Sequence, residues 1–94
     1  MAISFATRAM VPQHVTSRRL DDELVLLNLD SENYFGLDAV GTRIWEVVSA
    51  APSVEEALQQ LLSEYEVGEA KLREDMEKLL NQLVSSELIE LQPI

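Results

Sequence analysis

The sequence predicts an α+β fold in which a three-stranded antiparallel sheet is followed by three helices. Three observations carry this expectation. Between Val15 and Leu37 the apolar residues alternate with polar ones or run in short β-prone blocks, separated by clusters of Asp, Ser, Glu and Asn. From Asp38 onward they recur at helical spacing, in three stretches punctuated by Pro52 and Gly68. Strands grouped ahead of helices place the helices against one sheet face. The chain shows no internal repeat or low-complexity segment.

The elements follow in order. Residues 1–12 show no clean period, and Pro12 breaks any helix there; they read as a tail with room for a short strand, loosely ordered or borrowed by a neighbour. The domain proper spans residues 13–94. Val15 to Leu20 is a strand with polar alternation. Asp21-Asp22-Glu23 is a turn, because short acidic side chains bond to nearby backbone in preference to a ladder. Leu24-Val25-Leu26-Leu27-Asn28-Leu29 is a nearly unbroken apolar run, suited to a central strand. Asp30-Ser31-Glu32-Asn33 is the next turn, and Tyr34 to Leu37 is the third strand. Short turns make neighbours antiparallel, so the sheet is a meander with Tyr34–Leu37 at its edge.

Asp38 is the expected cap of the first helix. Val40, Ile44, Val47 and Val48 supply its apolar stripe with Trp45 beside them, and Ala51-Pro52 ends it. Gly41 in its first turn permits close approach of another backbone. Ser53-Val54-Glu55-Glu56 has the form of a capping box, so a second helix begins at Val54. Its buried stripe is Val54, Ala57, Leu58, Leu61, Leu62 and Tyr65. The third helix spans about Glu69 to Ser86, with Val67 and Leu72 at the offsets of a hydrophobic staple. Leu72, Met76, Leu79, Leu80, Leu83 and Val84 form its stripe; Glu69 with Arg73 and Glu74 with Lys78 are favourable pairs on its wet side. Leu88-Ile89-Glu90-Leu91 reads as a last short strand closed by Pro93.

Composition narrows the function. The 94 residues make one domain, and 47% apolar content supports a core. No apolar run approaches the roughly 20 residues that cross a bilayer. The first residues lack the pattern of a secretory signal, so a cytoplasmic location is the simplest reading. With no cysteine, disulfides and thiolate metal sites are excluded. The net charge of −10, from 17 acidic and 7 basic residues, repels phosphate backbones and anionic lipid. The densest basic patch is Arg18-Arg19, followed at once by Asp21-Asp22-Glu23.

Catalysis has little to stand on. The single histidine, His14, has no cysteine partner, and nothing assembles a triad around it. The acidic turns lack the spaced ligands and central glycine of a calcium loop. FGLDAVG lacks the spacing and lysine of a phosphate loop. No cofactor, metal or enzyme activity is expected. The strand Asn33-Tyr34-Phe35-Gly36-Leu37 is more informative. Phe35 and Leu37 share one face, Tyr34 and Gly36 the other. Proteins blunt free strand edges with lysine, proline or bulges, and none stands between Asn33 and Leu37. Either the edge is used, or residues 1–12 cover it. Met76 and the leucines around it are core by default, or line a groove for a partner.

ELVLLNLDSENYFGLDAVGTRIWEVV resembles the PqqD-like family, whose members are also called recognition elements for ribosomally made, post-translationally modified peptides. The matching pieces are the strand VLLNL, the YFGLD strand-to-helix junction, Ile44-Trp45, SVEEALQQLLSEYEV as second helix, and EDMEKLLNQLVSSELIEL as third helix and closing strand. Asp75, Met76, Leu79, Leu80 and Leu83 stand in register, and the likeness covers about Val15 to Leu91. Gly68 stands where many relatives have an acidic cap. The resemblance implies a winged-helix-like domain without enzyme activity that binds the leader of a precursor peptide as an added strand. The leader would lie along the third strand and against the third helix. The implied site is Asn33, Tyr34, Phe35, Gly36 and Leu37 with Lys71, Leu72, Asp75, Met76, Lys78 and Leu79. One or two apolar anchors of the peptide, an aromatic among them, would sink between Tyr34, Leu37 and the Met76–Leu79 side, with Lys71, Asp75 and Lys78 flanking the groove to read charge. The stand-alone length and the motif look most like the version of lasso-peptide biosynthesis, with a leader peptidase and an ATP-dependent macrocyclase as partners. Alternatives are a PQQ-pathway peptide chaperone serving a radical-SAM enzyme, a winged-helix nucleic-acid binder, and a dimerisation domain pairing edge to edge.

Overall fold

Asp21 takes a left-handed conformation, with φ of 59°, in the tight turn that joins two strands, β2 (Val15–Leu20) and β3 (Glu23–Asn28). Aspartate tolerates that region better than most residues because its side chain can bond locally. The computed structural model describes residues 3–94. In chain order its elements are β1 (Thr7–Met10), β2, β3, β4 (Tyr34–Leu37), α1 (Ala39–Ala50), α2 (Val54–Glu64), α3 (Glu69–Ser85) and β5 (Glu90–Pro93). β2, β3 and β4 form the expected antiparallel meander with β3 in the centre. Leu20 pairs with Glu23 across the first turn and Leu27 with Tyr34 across the second.

β3 sends Leu24, Leu26 and Asn28 into the core and leaves Val25 and Leu27 half-buried on the other face. The helices supply the facing layer. Ile44, Val47 and Val48 of α1, Val54, Ala57, Leu58 and Leu61 of α2, and Leu72, Met76, Leu80 and Leu83 of α3 are buried with them. The caps follow the residues that the sequence offers. Asp38 Oδ1 accepts from the Gly41 N–H at 2.7 Å, and Ser53 Oγ accepts from the Glu56 N–H at 3.1 Å. A Cβ on Gly41 would lie 3.2 Å from Asp38 Oδ1, so the glycine keeps that cap uncrowded. Gly68 opens α3 without a side-chain cap.

Three details refine or correct the expectation. The short strand for which residues 1–12 had room is present as β1, and residues 3–12 are anchored to the domain at Phe5 and Ala9. Phe5 and Ala9 are in the core, β1 pairs antiparallel with β5, and the Phe5 carbonyl accepts the Glu55 N–H of α2 at 3.0 Å. The last strand begins at Glu90, because Leu88 and Ile89 are first drawn into the core. Val40 and Val84, expected in their helices' stripes, are exposed; each lies in a terminal turn, where a helix runs past the layer it packs on. On α3, Arg73 bridges Glu69 as expected, and Lys71 pairs with Asp75 at 3.0 Å.

Candidate functional site

β4 is an edge strand, and its hydrogen-bonding parity can be read from one bond. The Asn28 N–H donates to the Asn33 carbonyl at 2.9 Å, one step beyond the Leu27–Tyr34 pair. Bonded and non-bonded pairs alternate along an antiparallel ladder. Phe35 and Leu37 therefore bond inward to Leu26 and Leu24. The N–H and C=O of Tyr34 and Gly36 point away from β3, toward the open side. β1 pairs with β5 and not with β4, so among the described residues no strand takes those groups. The described N-terminal strand is thus paired elsewhere and does not cover this edge.

The side chains divide by face. Tyr34 is 78% exposed, and Gly36 beside it is exposed with nothing within 4 Å of a Cβ built there. Phe35 is half-buried against the core and Leu37 is buried. Tyr34 and Leu37 thus lie on opposite faces. Of the one or two anchors expected between Tyr34, Leu37 and α3, one on the outer face meets Tyr34 and one on the inner face meets the Leu37 side, because the strand's period of two separates these side chains. Asn33 is exposed at the start of the strand.

On α3 the predicted residues also divide. Leu72 and Met76 are buried, at 5% and 0% exposure, and share one core with Leu37. Met76 is therefore packing behind any groove, not a groove surface, as its place in the apolar stripe dictates. Leu79 is half-buried, and Lys71, Asp75 and Lys78 are exposed. The Asp75 carboxylate accepts a bond from Lys71 Nζ and raises that amine's pKa above its ordinary value. Both groups stay exposed, and each keeps donor or acceptor capacity beyond this one contact.

Sequence reasoning missed two features. Asn28 is fully buried and organises the turn into β4. Its Oδ1 accepts from the N–H groups of Asp30 and Ser31 at 3.0 and 3.1 Å, and its Nδ2 donates to the Glu87 carbonyl at 3.2 Å. A lone Asn inside an otherwise apolar strand is the signal that could have found it. The second feature is a hollow of about 600 Å³ on the outer sheet face, with Thr16, Arg18, Leu20, Val25, Leu27 and Tyr34 in its lining. His14 borders the Asn28 turn: its carbonyl accepts from the Leu29 N–H at 2.7 Å and its Nδ1 is 3.7 Å from Asp30 Oδ2. Among the described residues no group of three His, Asp or Glu is placed to hold a metal ion, and no helix is long and apolar enough to cross a membrane.

A helical layer on one sheet face and an unpaired four-residue strand at the sheet's rim define a small α+β domain that presents a strand edge. The chain belongs to the family of coenzyme PQQ synthesis protein D (PqqD), whose model matches residues 23–89. The family consists of non-catalytic peptide-binding modules, and the chain is accordingly not an enzyme. Two solved structures share the fold. One is TbiB1 in complex with the TbiA(beta) leader peptide, 38% identical, with a TM-score of 0.79 over 86% of this chain and 94% of that one. The other is lasso peptide synthetase B1 complexed with the leader peptide, 23% identical, with a TM-score of 0.78 over 88% of this chain and 98% of that one. A comparison with curated proteins finds no match.

Proposed function

We propose that the chain binds the leader of a ribosomally made precursor peptide as a strand added to β4, and delivers it to the enzymes that process it. The observation that carries this is the outward parity of Tyr34 and Gly36 on an unpaired edge. Strand addition recognises a peptide through its backbone and selects it through pockets for alternate side chains. The likeness to two proteins whose structures are solved in complex with leader peptides supports the reading. It also favours lasso-peptide biosynthesis; a leader peptidase and an ATP-dependent macrocyclase in the cytoplasm are the partners that the sequence resemblance implies.

Magnitudes say that backbone pairing is not sufficient. Two outward residues offer two N–H and two C=O groups. At about 1 kcal/mol net each they supply roughly 4 kcal/mol. A Kd of about 1 μM represents about 8 kcal/mol, before the cost of ordering a flexible leader. Side-chain anchors must supply the rest. On the inner face, Phe35 and Leu79 are the half-buried apolar surfaces available, with Leu37, Leu72 and Met76 as their backing. Lys71, Asp75 and Lys78 are the charges that a peptide crossing α3 would meet.

Proline placement tests the reading, with a labelled leader from the precursor encoded beside this chain as probe. Tyr34→Pro and Gly36→Pro each remove an outward N–H, so leader binding is lost while melting stays cooperative, since proline is tolerated on a free edge. Phe35→Pro removes a ladder bond to β3 and lowers the melting temperature. Wild-type affinity in both Tyr34→Pro and Gly36→Pro would rule out docking at this edge.

A further inference from the structure

We infer that the outer sheet face carries a second specificity pocket for the same peptide strand, and that Gly36 opens it to a large apolar or aromatic peptide side chain. This inference rests on strand addition at β4. A strand added there places directly opposite Gly36 a residue that bonds to it, and that residue's side chain points to the face Gly36 shares. This is the outer face, away from the helices.

That face is built to receive a side chain. Gly36 pairs across β3 with Val25, and Tyr34 with Leu27; Val25 and Leu27 are half-buried apolar residues on the uncovered face of the sheet. Gly36 contributes no side chain, and a Cβ there would meet no atom within 4 Å. Its φ is not positive. The backbone therefore does not require glycine at this position, and neither does crowding within the protein. A glycine in a strand interior forfeits packing, and one use for it is close approach by another chain. Packing an aromatic ring over a bare edge glycine is an established way for sheets to recover that contact.

The neighbours favour the same occupant. Tyr34 stands diagonal to the position opposite Gly36, within the reach of an aromatic side chain across a sheet. Its 78% exposure leaves its ring free to close over a guest. Val25 and Leu27 also line the 600 Å³ hollow, together with Leu20, itself 53% exposed. The hollow is continuous with the docking edge through Tyr34, so the peptide's alternate side chains reach it without a second binding partner. A large apolar residue at this position would complement the inner-face contacts at Phe35, giving the peptide anchors on both faces from neighbouring residues.

The test compares wild type with Gly36→Val in selections from a phage-displayed library of random linear peptides. Valine suits a strand and meets open space, so Gly36→Val melts no lower than wild type; Gly36→Ala, which adds one methyl group, serves in its place if valine lowers the melting temperature. Only peptides whose binding is lost in Tyr34→Pro are counted. Wild type selects peptides with a large apolar or aromatic residue at one fixed position. Gly36→Val binds those peptides about tenfold more weakly by anisotropy titration, a change of about 1.4 kcal/mol, and selects a small residue at that position. The preference two residues away, facing Tyr34, is unchanged. The same preference at every position in both proteins overturns the Gly36 pocket and leaves strand addition standing. Failure of both proteins to yield any peptide sensitive to Tyr34→Pro overturns strand addition and the pocket with it.

Discussion

At the scale of single residues, Asn28 decides how the site is presented. It ends the central strand, and three bonds from its side chain fix both the turn into β4 and the chain leaving α3. A buried amide is costly unless satisfied, and here no buried side-chain polar atom among the described residues lacks a partner. Asn28→Ala leaves the Glu87 carbonyl and two turn N–H groups without it. Three such bonds at their usual net value predict a loss of about 2–4 kcal/mol, read by urea denaturation. Leader affinity should fall as well, since Glu32, with φ of 62°, and Asn33 lose the anchor that sets the start of β4. Half of this role had a local signal, because an Asn that closes an apolar strand can bond the N–H groups two and three residues on as a turn. The other half had none, since the Glu87 carbonyl lies 59 positions away. The alternation of Tyr34 and Gly36 against Phe35 and Leu37 was legible. Which pair bonds outward was not, because that depends on which cross-strand pair is the bonded one.

At the scale of elements, the helix starts and ends were legible, and the turn that follows α3 was not. Asp38 and Ser53 are capping residues whose chemistry is local, and the structure uses both as caps. The end of α3 instead depends on Glu87 at φ of 57°. The Leu88 N–H donates back to the Leu83 carbonyl at 2.9 Å and the Glu87 N–H to Val84 at 3.0 Å. These are the two bonds of a Schellman turn, where glycine is the usual residue. The turn aims Leu88 and Ile89 into the core, which is why β5 starts later than its apolar residues suggest. Glu87→Gly relieves the left-handed strain and should stabilise by about 1 kcal/mol, measured as a higher urea midpoint with an unchanged slope. Between α1 and α2, Arg43 grips Glu64 through two bonds of 2.8 and 2.7 Å. That hydrogen bonding holds the Glu64 carboxyl below its ordinary range. A folded value below the unfolded one gives stability that is present above the unfolded pKa and is lost as pH falls through the folded value. Glu64→Gln should therefore melt lower than wild type at neutral pH, with the gap closing on acidification below the depressed value. Thermal melts of both proteins across the acid range measure it, and the difference cancels the relief of net negative charge common to both.

At the scale of the whole molecule, two sheets divide the labour. The three-stranded sheet ends in the open β4, and the β1–β5 ribbon ties both chain ends to the helices. Residues 3–12 looked like a tail because Phe5 and Ala9 are too few and too widely spaced to show a period. Their partners, β5 and the start of α2, are distant in sequence. Phe5 is nevertheless 7% exposed, its carbonyl takes an otherwise free N–H at the start of α2, and Arg73 of α3 stacks on its ring at 4.7 Å. Arg73 also bonds Glu55 of α2 and Glu69 at the start of its own helix, so one aromatic residue sits under the joint between two helices. Phe5→Ala should cost about 3–5 kcal/mol, the usual price of a buried phenylalanine. For a domain of this size that is a large share of a typical total of about 5–15 kcal/mol. The same substitution distinguishes scaffold from site. β1 is bonded to β5 and leaves β4 untouched, so Phe5→Ala protein that remains folded at low temperature should bind leader peptide with wild-type affinity. Calorimetry gives the stability and anisotropy titration at that temperature gives the binding. A fall in affinity while the protein is still fully folded would mean that the N-terminal segment takes part in docking, contrary to the division between the two sheets.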